Sequence, residues 1–506
     1  MRRYKISTEV LMLILEKLDP QSLWRACRAF TRIYNVVMEF QSLRYRFELA
    51  LAAMKDGHAP RAHVPPLARY QLLLSYKKDW PRLHWSHECK MQIPASVQLG
   101  VSGGFLHKLF NSGGQTCLEL SELPSYRAGR PMSKTRHIRY SAPMVDSVVI
   151  DPSQRLLIMS YLFSQNGMAA IQVHIRDLWT FSRHPWAPAM TCEFSTQCNL
   201  RVTSVTLQIC GSKFCITISF AGDTVKHLIM DWRTLHARWF DEKDIHFLND
   251  SSLLVIRKHH SRAMLNLYNI TDIANLTNAR EYEIPEAWAH SSFAFIPNAS
   301  PRHDSGANPD AVFYPDPSQR LLGISIAPAQ SAKGSPFVWL FINENYFRIP
   351  TRRDPATRVS WAHWGSYTAM RVVNPSPCLR APQLSGSRLV YVDADATPVS
   401  RSRSSVVATP RLNLIDFQPF LESGAGPTKA WTIGSRTEFV PVESTKAVPS
   451  TTVDNSAIYG VRLNEDNIIL LLEQQGMRSV NILTFGAPET SRSSRHGHSH
   501  RPSIGH

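Results

Sequence analysis

Two rhythms of apolar residues divide the chain. To about residue 80 the spacing is helical; from about residue 96 it becomes the two-residue alternation of strands. Apolar residues run unbroken from Val10 to Leu15, with Leu18 one turn further on. Val10, Leu11, Ile14, Leu15 and Leu18 recur at helical spacing and make one face, while Met12 and Leu13 fall outside it. A helix apolar almost all round needs cover on two sides. So small a unit supplies one of them, and a partner protein is the first expectation for the other. Asp19-Pro20 reads as an N-cap followed by proline at the first helical position. From there Leu23, Cys27, Phe30, Tyr34 and Val37 step by three and four, with Arg25, Arg28 and Arg32 on another face. Leu43, Phe47, Ala50 and Met54 continue in a third helix that stops at Gly57. Three short helices in so few residues sit at the margin of independent stability and are expected to lean on a neighbour. A linker, 58–66, then leads through Pro65-Pro66 into a helix with Leu73, Tyr76 and Trp80 on one face.

The strand region contains an internal repeat. Asp151-Pro-Ser-Gln-Arg-Leu-Leu157 recurs letter for letter as Asp316-Pro-Ser-Gln-Arg-Leu-Leu322. Each copy follows a short apolar strand, turns at Asp-Pro and starts a second strand; a third strand then ends in Asp or Asn, at Asp177 and Asn343. Looser versions lie at 202–232, 247–269, 368–417 and 461–485, six candidate units in all. Irregular strand–turn–strand units of about 40–60 residues are the pattern of propeller blades, each covered by its neighbours. Strands within 97–140 are expected to complete a blade with those at the C-terminus. The Trp-Asp dipeptide of WD repeats is absent, so the expected fold is α+β and multidomain: helices at 1–57, linker and helix at 58–95, a divergent β-propeller at 96–486 and a polar tail at 487–506. A non-radial β-sandwich assembly is the competing architecture.

Residues 6–18 resemble the F-box, whose pattern reads Leu-Pro-x-Glu-(Ile/Val/Leu)-Leu-x-x-Ile-(Phe/Leu)-x-x-Leu. Ile6, Glu9, Val10, Leu11, Ile14, Leu15 and Leu18 fall in register with it. Ser7 stands at the usual proline, and Ala29-Phe30-Thr31 at the usual Val-Cys-Arg. The stretch 43–54 is similar to the third segment of F-box proteins abundant in mushroom-forming fungi. The likeness extends weakly into the β region through the Asp-x-x-x-x-Leu-Leu turns and the final Val-Asn-Ile-Leu-Thr-Phe. The resemblance implies a substrate-recruiting subunit of a cullin–RING, SCF-type ubiquitin ligase, with no catalysis, cofactor or metal in this chain. It implies contact with the ligase adaptor through Ile6, Ser7, Val10, Leu11, Ile14, Leu15, Leu18 and Leu23. The cullin scaffold would lie behind the adaptor, and the β domain would hold a target protein. The competing function is a structural or interaction propeller without a ligase role.

Composition narrows the alternatives. Lys plus Arg exceed Asp plus Glu by 56 to 40, for a formal charge of +16 over 506 residues. The basic residues are scattered without a sustained run, so a nucleic-acid partner is not expected, whereas acidic partners fit the net charge. Eight cysteines without a Cys-x-x-Cys or regular spacing point to a reducing compartment. The Asn269, Asn275 and Asn298 sequons carry meaning only in a secreted chain. Glu9 interrupts any signal-peptide reading, and no other apolar stretch approaches the ~20 residues that cross a bilayer. A soluble protein of the cytoplasm or nucleus, with no membrane partner, is expected. Ser102 in Gly100-Val-Ser-Gly-Gly104 matches the nucleophile-elbow spacing, but no helix is expected after it, so a turn is the reading. His84, His87 and Cys89 lack a fourth ligand at a sensible spacing, and His496, His498 and His500 belong to the tail. The Ser/Arg-rich stretch 394–410 reads as a long loop open to phosphorylation.

Overall fold

In the computed structural model the described residues are 6–57, 64–113, 115–130, 136–142, 144–165, 168–197, 200–222, 224–259, 262–302, 308–328, 336–347, 357–374, 379–394, 410–417, 442–447, 457–474 and 477–488. The loop expected at 394–410 and the tail at 487–506 lie almost wholly outside them.

The alternating segments pair as antiparallel ladders in seven blades. Blades 1 to 6 span 98–142, 147–197, 202–240, 244–283, 292–373 and 383–447, and the short strand Arg358–Val359 adds in parallel at the edge of blade 4. Blade 7 takes Ala457–Leu463, Asn467–Gln474 and Met477–Thr484 from the end of the chain; its outer strand, His87–Pro94, comes from the beginning. First strands adjoin around the axis. Ser102 Oγ accepts the Ile150 N–H at 2.9 Å between blades 1 and 2, and Asp244 accepts the Phe295 N–H at 2.7 Å between blades 4 and 5. The strands at 98–142 thus make a blade of their own. The closing strand lies instead in the stretch expected to be linker.

Each large apolar cluster fills one gap between blades, and this explains the doubled leucines of the repeat. Leu156 faces blade 3 beside Phe214 and Ile216, while Leu157 faces blade 1 beside Phe105 and Leu118. Leu321 faces blade 6 beside Leu384 and Leu389, and Leu322 faces blade 4 beside Leu254 and Leu265. Adjacent strand residues point to opposite faces, so two buried faces require two leucines in a row. Asp151 and Asp316 hold their turns alike, each accepting the N–H two residues on, at 3.0 and 2.9 Å. The third strands end on Glu122, Asp177, Asp231, Asn269, Asn343, Asp416 and Thr484, each opposite the first residue of the second strand. Asp177, Asp231, Asn269 and Asn343 use side-chain oxygens to hold the turn that follows.

The N-terminal unit has four helices: α1 (Thr8–Leu15), α2 (Pro20–Ala29), α3 (Thr31–Glu39) and α4 (Gln41–Leu51). The single helix expected from Pro20 to Val37 breaks at Phe30, whose backbone is extended (φ −139°, ψ 111°). The helix expected to reach Gly57 ends at Leu51. Met54–Asp56 is a strand instead, paired with Phe313–Pro315 ahead of the second strand of blade 5. Gly57 has no room for a Cβ, which would fall 1.7 Å from the Ala311 carbonyl oxygen.

Helix α5 (Pro66–Asp79) joins this unit to the propeller. Its Leu73 and Tyr76, with Trp80 just beyond, are buried among residues of blades 6 and 7, and Trp80 stacks on Phe485 at 4.1 Å between ring centroids. Tyr76 lies under two buried guanidiniums. Arg388 donates to its hydroxyl at 3.0 Å and pairs with Asp416; Arg127 pairs with Asp466 and Glu465, both at 2.6 Å. The helices are thereby fixed to the ring.

Candidate docking face

The sequence of α1 asks for cover on both sides, and the structure supplies one. Leu15 is 2% exposed, and Leu11, Met12 and Leu18 pack beside it against Leu23, Cys27, Val36, Val37, Leu43 and Phe47. On the opposite side Val10, Leu13 and Ile14 are 49%, 56% and 47% exposed, and Ile6 stands bare just before the helix. Spacings of three and four put Val10, Leu13 and Ile14 on one stripe. Phe30 and Tyr34, on the neighbouring α3 junction, are exposed as well. Apolar side chains in this density on eight residues of helix are the kind of surface that marks an interaction site.

The presentation is rigid. Ser7 caps α1 and accepts the Val10 N–H at 3.4 Å, which satisfies one of the free donors of the first turn. Hydrogen bonds from its own N–H and from Ser7 hold the Glu9 carboxyl below its ordinary range, at the positive end of the helix. The Arg32 guanidinium donates to the Ile6 carbonyl, and Arg46 donates to those of Glu16 and Leu18. Arginines from α3 and α4 therefore tie down both ends of α1.

Several expectations change here. Leu15 and Leu23 (0% exposed) belong to the helical core and take no part in the bare face; Leu11 and Leu18 are half-buried in the same core. Of the expected contact residues, Ile6, Ser7, Val10 and Ile14 remain accessible. Leu13, Phe30 and Tyr34 were not expected there. For Leu13 the signal was available, three residues after Val10. For Phe30 it was not, because the break between α2 and α3 is what turns that ring outward.

The candidate catalytic and metal groups are accounted for structurally. Ser102 sits in a strand-to-strand turn through Gly103 and Gly104, and among the described residues its hydroxyl bonds the backbone of Ile150. His84 leans on Asp79 at 3.2 Å while His87 and Cys89 lie in the closing strand, and no grouping suited to a metal occurs among the described residues. Burial pushes the Cys27 thiol up to about 11 and those of Cys192 and Cys210 to about 12, so none is a poised nucleophile. Asn298 is buried and its amide donates to the Leu321 and Gly386 carbonyls, leaving no room for a glycan. A cleft of about 320 Å³ between blades 4 and 5 is lined by Asn249, Ser252, Arg302, Ser318 and Asn345. Glu344 in its wall is locked between Arg320 (2.8 Å) and His246 (2.7 Å); burial opposes its charge, but the Arg320 guanidinium and the hydrogen-bonded His246 ring hold it down at about 2. No described helix is long and apolar enough to cross a membrane.

No family model matches the sequence, and no curated protein matches it. Among solved structures the chain is similar to the WD40 domain of SCAP from fission yeast, at 8% identity over 79% of this chain and 99% of that one, with a TM-score of 0.40. It is similar to the β-propeller domain of the trilobed protease from Pyrococcus furiosus, at 10% identity over 75% and 92%, with a TM-score of 0.38. The WD40 domain of Toxoplasma gondii coronin follows, at 10% identity over 81% and 88%, with a TM-score of 0.36. At these scores the blade count rests on the chain's own ladders: seven blades among the described residues, closed by an N-terminal strand.

Proposed function

We propose that this chain recruits substrates to an SCF-type cullin–RING ubiquitin ligase. In this reading the helical unit is an F-box whose bare α1 face docks the adaptor, the cullin follows through the adaptor, and the propeller holds a target protein. The observation that carries it is the split of α1. One side is sealed into the helical core, while Val10 and Ile14 stand exposed in the register where the F-box resemblance places its contacts, with Leu13 exposed beside them. The fixed joint through α5 supports it further, because an adaptor held by α1 would set the propeller at one distance and angle from the transfer machinery. Chemistry would reside in the partners.

Co-expression with an adaptor–cullin pair tests the reading. Ile14→Asp and Val10→Asp each put a carboxylate into an apolar interface, at a cost of several kcal/mol, while leaving a free surface helix intact. Both variants should keep the wild-type circular dichroism and lose the adaptor. Capture of the adaptor by both at wild-type level would remove the docking assignment. A chain that never captures the adaptor would leave the coarser reading, an interaction propeller outside the ligase.

A further inference from the structure

The helical unit covers only part of one end of the propeller. In an antiparallel blade the turns joining first to second and third to fourth strands open at the same end. Met54–Asp56 and α5 seat on that end at blades 5, 6 and 7. At blades 2 and 3 the same end carries a different surface.

There the loop between the third and fourth strands of blade 2 presents Trp186, 60% exposed. Its ring lies parallel to that of Trp232 in blade 3, 6.4 Å apart at 13°. The Arg233 guanidinium stands 4.9 Å from the Trp186 ring and 5.0 Å from Trp232, and donates to Gln154 Oε1 at 3.0 Å. His184 braces the loop: the Trp186 N–H donates to its Nδ1, which makes Nε2 the donor to the Gln154 carbonyl at 2.9 Å. Arg183 donates to the Pro188 carbonyl, and Arg176 to the Phe181 carbonyl and the Met190 sulfur. None of Arg176, Arg183 and Arg233 meets a carboxylate among the described residues. The nearby acids are committed elsewhere. Asp177 holds its own turn and pairs with Arg155; Asp231 does the same with Lys213; Asp151 caps the Pro152 turn.

An exposed tryptophan, braced from behind and ringed by arginines held on neutral groups, has the composition of an interface hot spot that lacks its counter-charge. We propose that this surface docks an acidic peptide segment of a partner protein, with Trp186 packing on its apolar side chain and Arg183 and Arg233 pairing with its carboxylates. The proposal rests on the reading of the propeller as the target-holding part and names the chemistry of the target. It also places the target at the end of the ring that bears the docking helix.

The test is fluorescence anisotropy on the full chain with a labelled Glu/Asp-rich peptide carrying one central leucine. An isosteric Gln/Asn peptide and a single-stranded oligonucleotide serve as competitors. Binding should be saturable and weakened by salt, and Trp186→Ala and Arg233→Glu should each reduce it by about tenfold or more. Equal affinity for the Gln/Asn peptide, wild-type affinity in both variants, or preferential binding of the oligonucleotide with the same dependence on Trp186 would overturn the proposal. Ile14→Asp should leave peptide binding intact, so failure of adaptor docking and failure of this surface give different results.

Discussion

Trp80 is where the helices and the ring become one cooperative body, and removing it measures that coupling. Its ring is 1% exposed, stacked on Phe485 and edge-on to Tyr76 at 6.0 Å, with the Arg388 guanidinium 5.0 Å above it. Truncation of a buried tryptophan to alanine costs about 3–5 kcal/mol, most where the site cannot collapse. Collapse is unfavourable here, since α5 is held beside the cavity by Tyr76, which accepts from Arg388, and by Asp79, which accepts from the Ser86 hydroxyl and the Gly486 N–H. Loss of the aromatic pair adds about 1 kcal/mol. Against this, the Trp80 Nε1–H has no hydrogen-bond partner among the described residues, so its removal returns about 1 kcal/mol. The net expectation for Trp80→Ala is a loss of about 4 kcal/mol, a large share of the stability of a typical domain. Urea unfolding followed by far-ultraviolet circular dichroism should show the whole β transition moved to lower denaturant. Trp186→Ala, at an exposed site, should shift it by well under 1 kcal/mol. If the β transition stays in place while a small helical transition moves alone, α5 is an appendage and the coupling argued here is refuted.

A chain of residues 96–486 lacks both α5 and the strand His87–Pro94, so it should aggregate or melt without cooperativity, whereas one beginning at residue 64 should fold; a cooperative melt of the shorter chain would contradict closure through the N-terminal strand. Arg320→Met leaves Glu344 buried with only His246 to answer it and should cost about 3–5 kcal/mol in urea titration, a far larger loss than Arg262→Met on the surface. Acid should destabilise the fold. Burial holds His107, His174 and His227 down at about 4 against an ordinary 6.5, so between those values the unfolded chain takes up protons that the native state refuses. Asp244, pushed up to about 6 by burial, works in the opposite direction between 6 and 3.8. The three histidines outweigh Asp244, so stability should fall as the pH is lowered from 6.5 toward 4, and a urea midpoint that rises on acidification would refute the assignment.

Local chemistry was legible in the sequence; distant pairing was not. The Asp-Pro turns, the Asp or Asn at the ends of third strands and the paired leucines are each dictated by neighbours within a few residues, and the structure places them as expected in blades 2 and 5. The two repeats differ where tertiary context intervenes. Arg155 adopts φ 57° and reaches Asp177 at the surface, while Arg320 keeps φ −63° and is buried against Glu344. The closing strand was missed although Cys89, Met91 and Ile93 alternate toward the core, because its partner lies at 477–484 and nothing local announces it. At the docking helix, periodicity identified which residues are apolar but not which side the later helices would cover. That choice is made by Leu43 and Phe47, far along the chain.

The ring is fastened by the first and last strands of its sequence, and this imposes an order on biosynthesis. His87–Pro94 leaves the ribosome long before its partner Met477–Thr484. Until then the growing chain carries the unpaired strand with Ile93 and an unsealed face on blade 1, where Leu106 awaits Ile469 and Ile482. Joining ends so far apart costs only about 5 kcal/mol of chain entropy, since the penalty grows with the logarithm of length. The burden falls on time. Throughout elongation the open edges invite pairing with other chains, and a chain that stops before Met477 has no strand to fasten the ring.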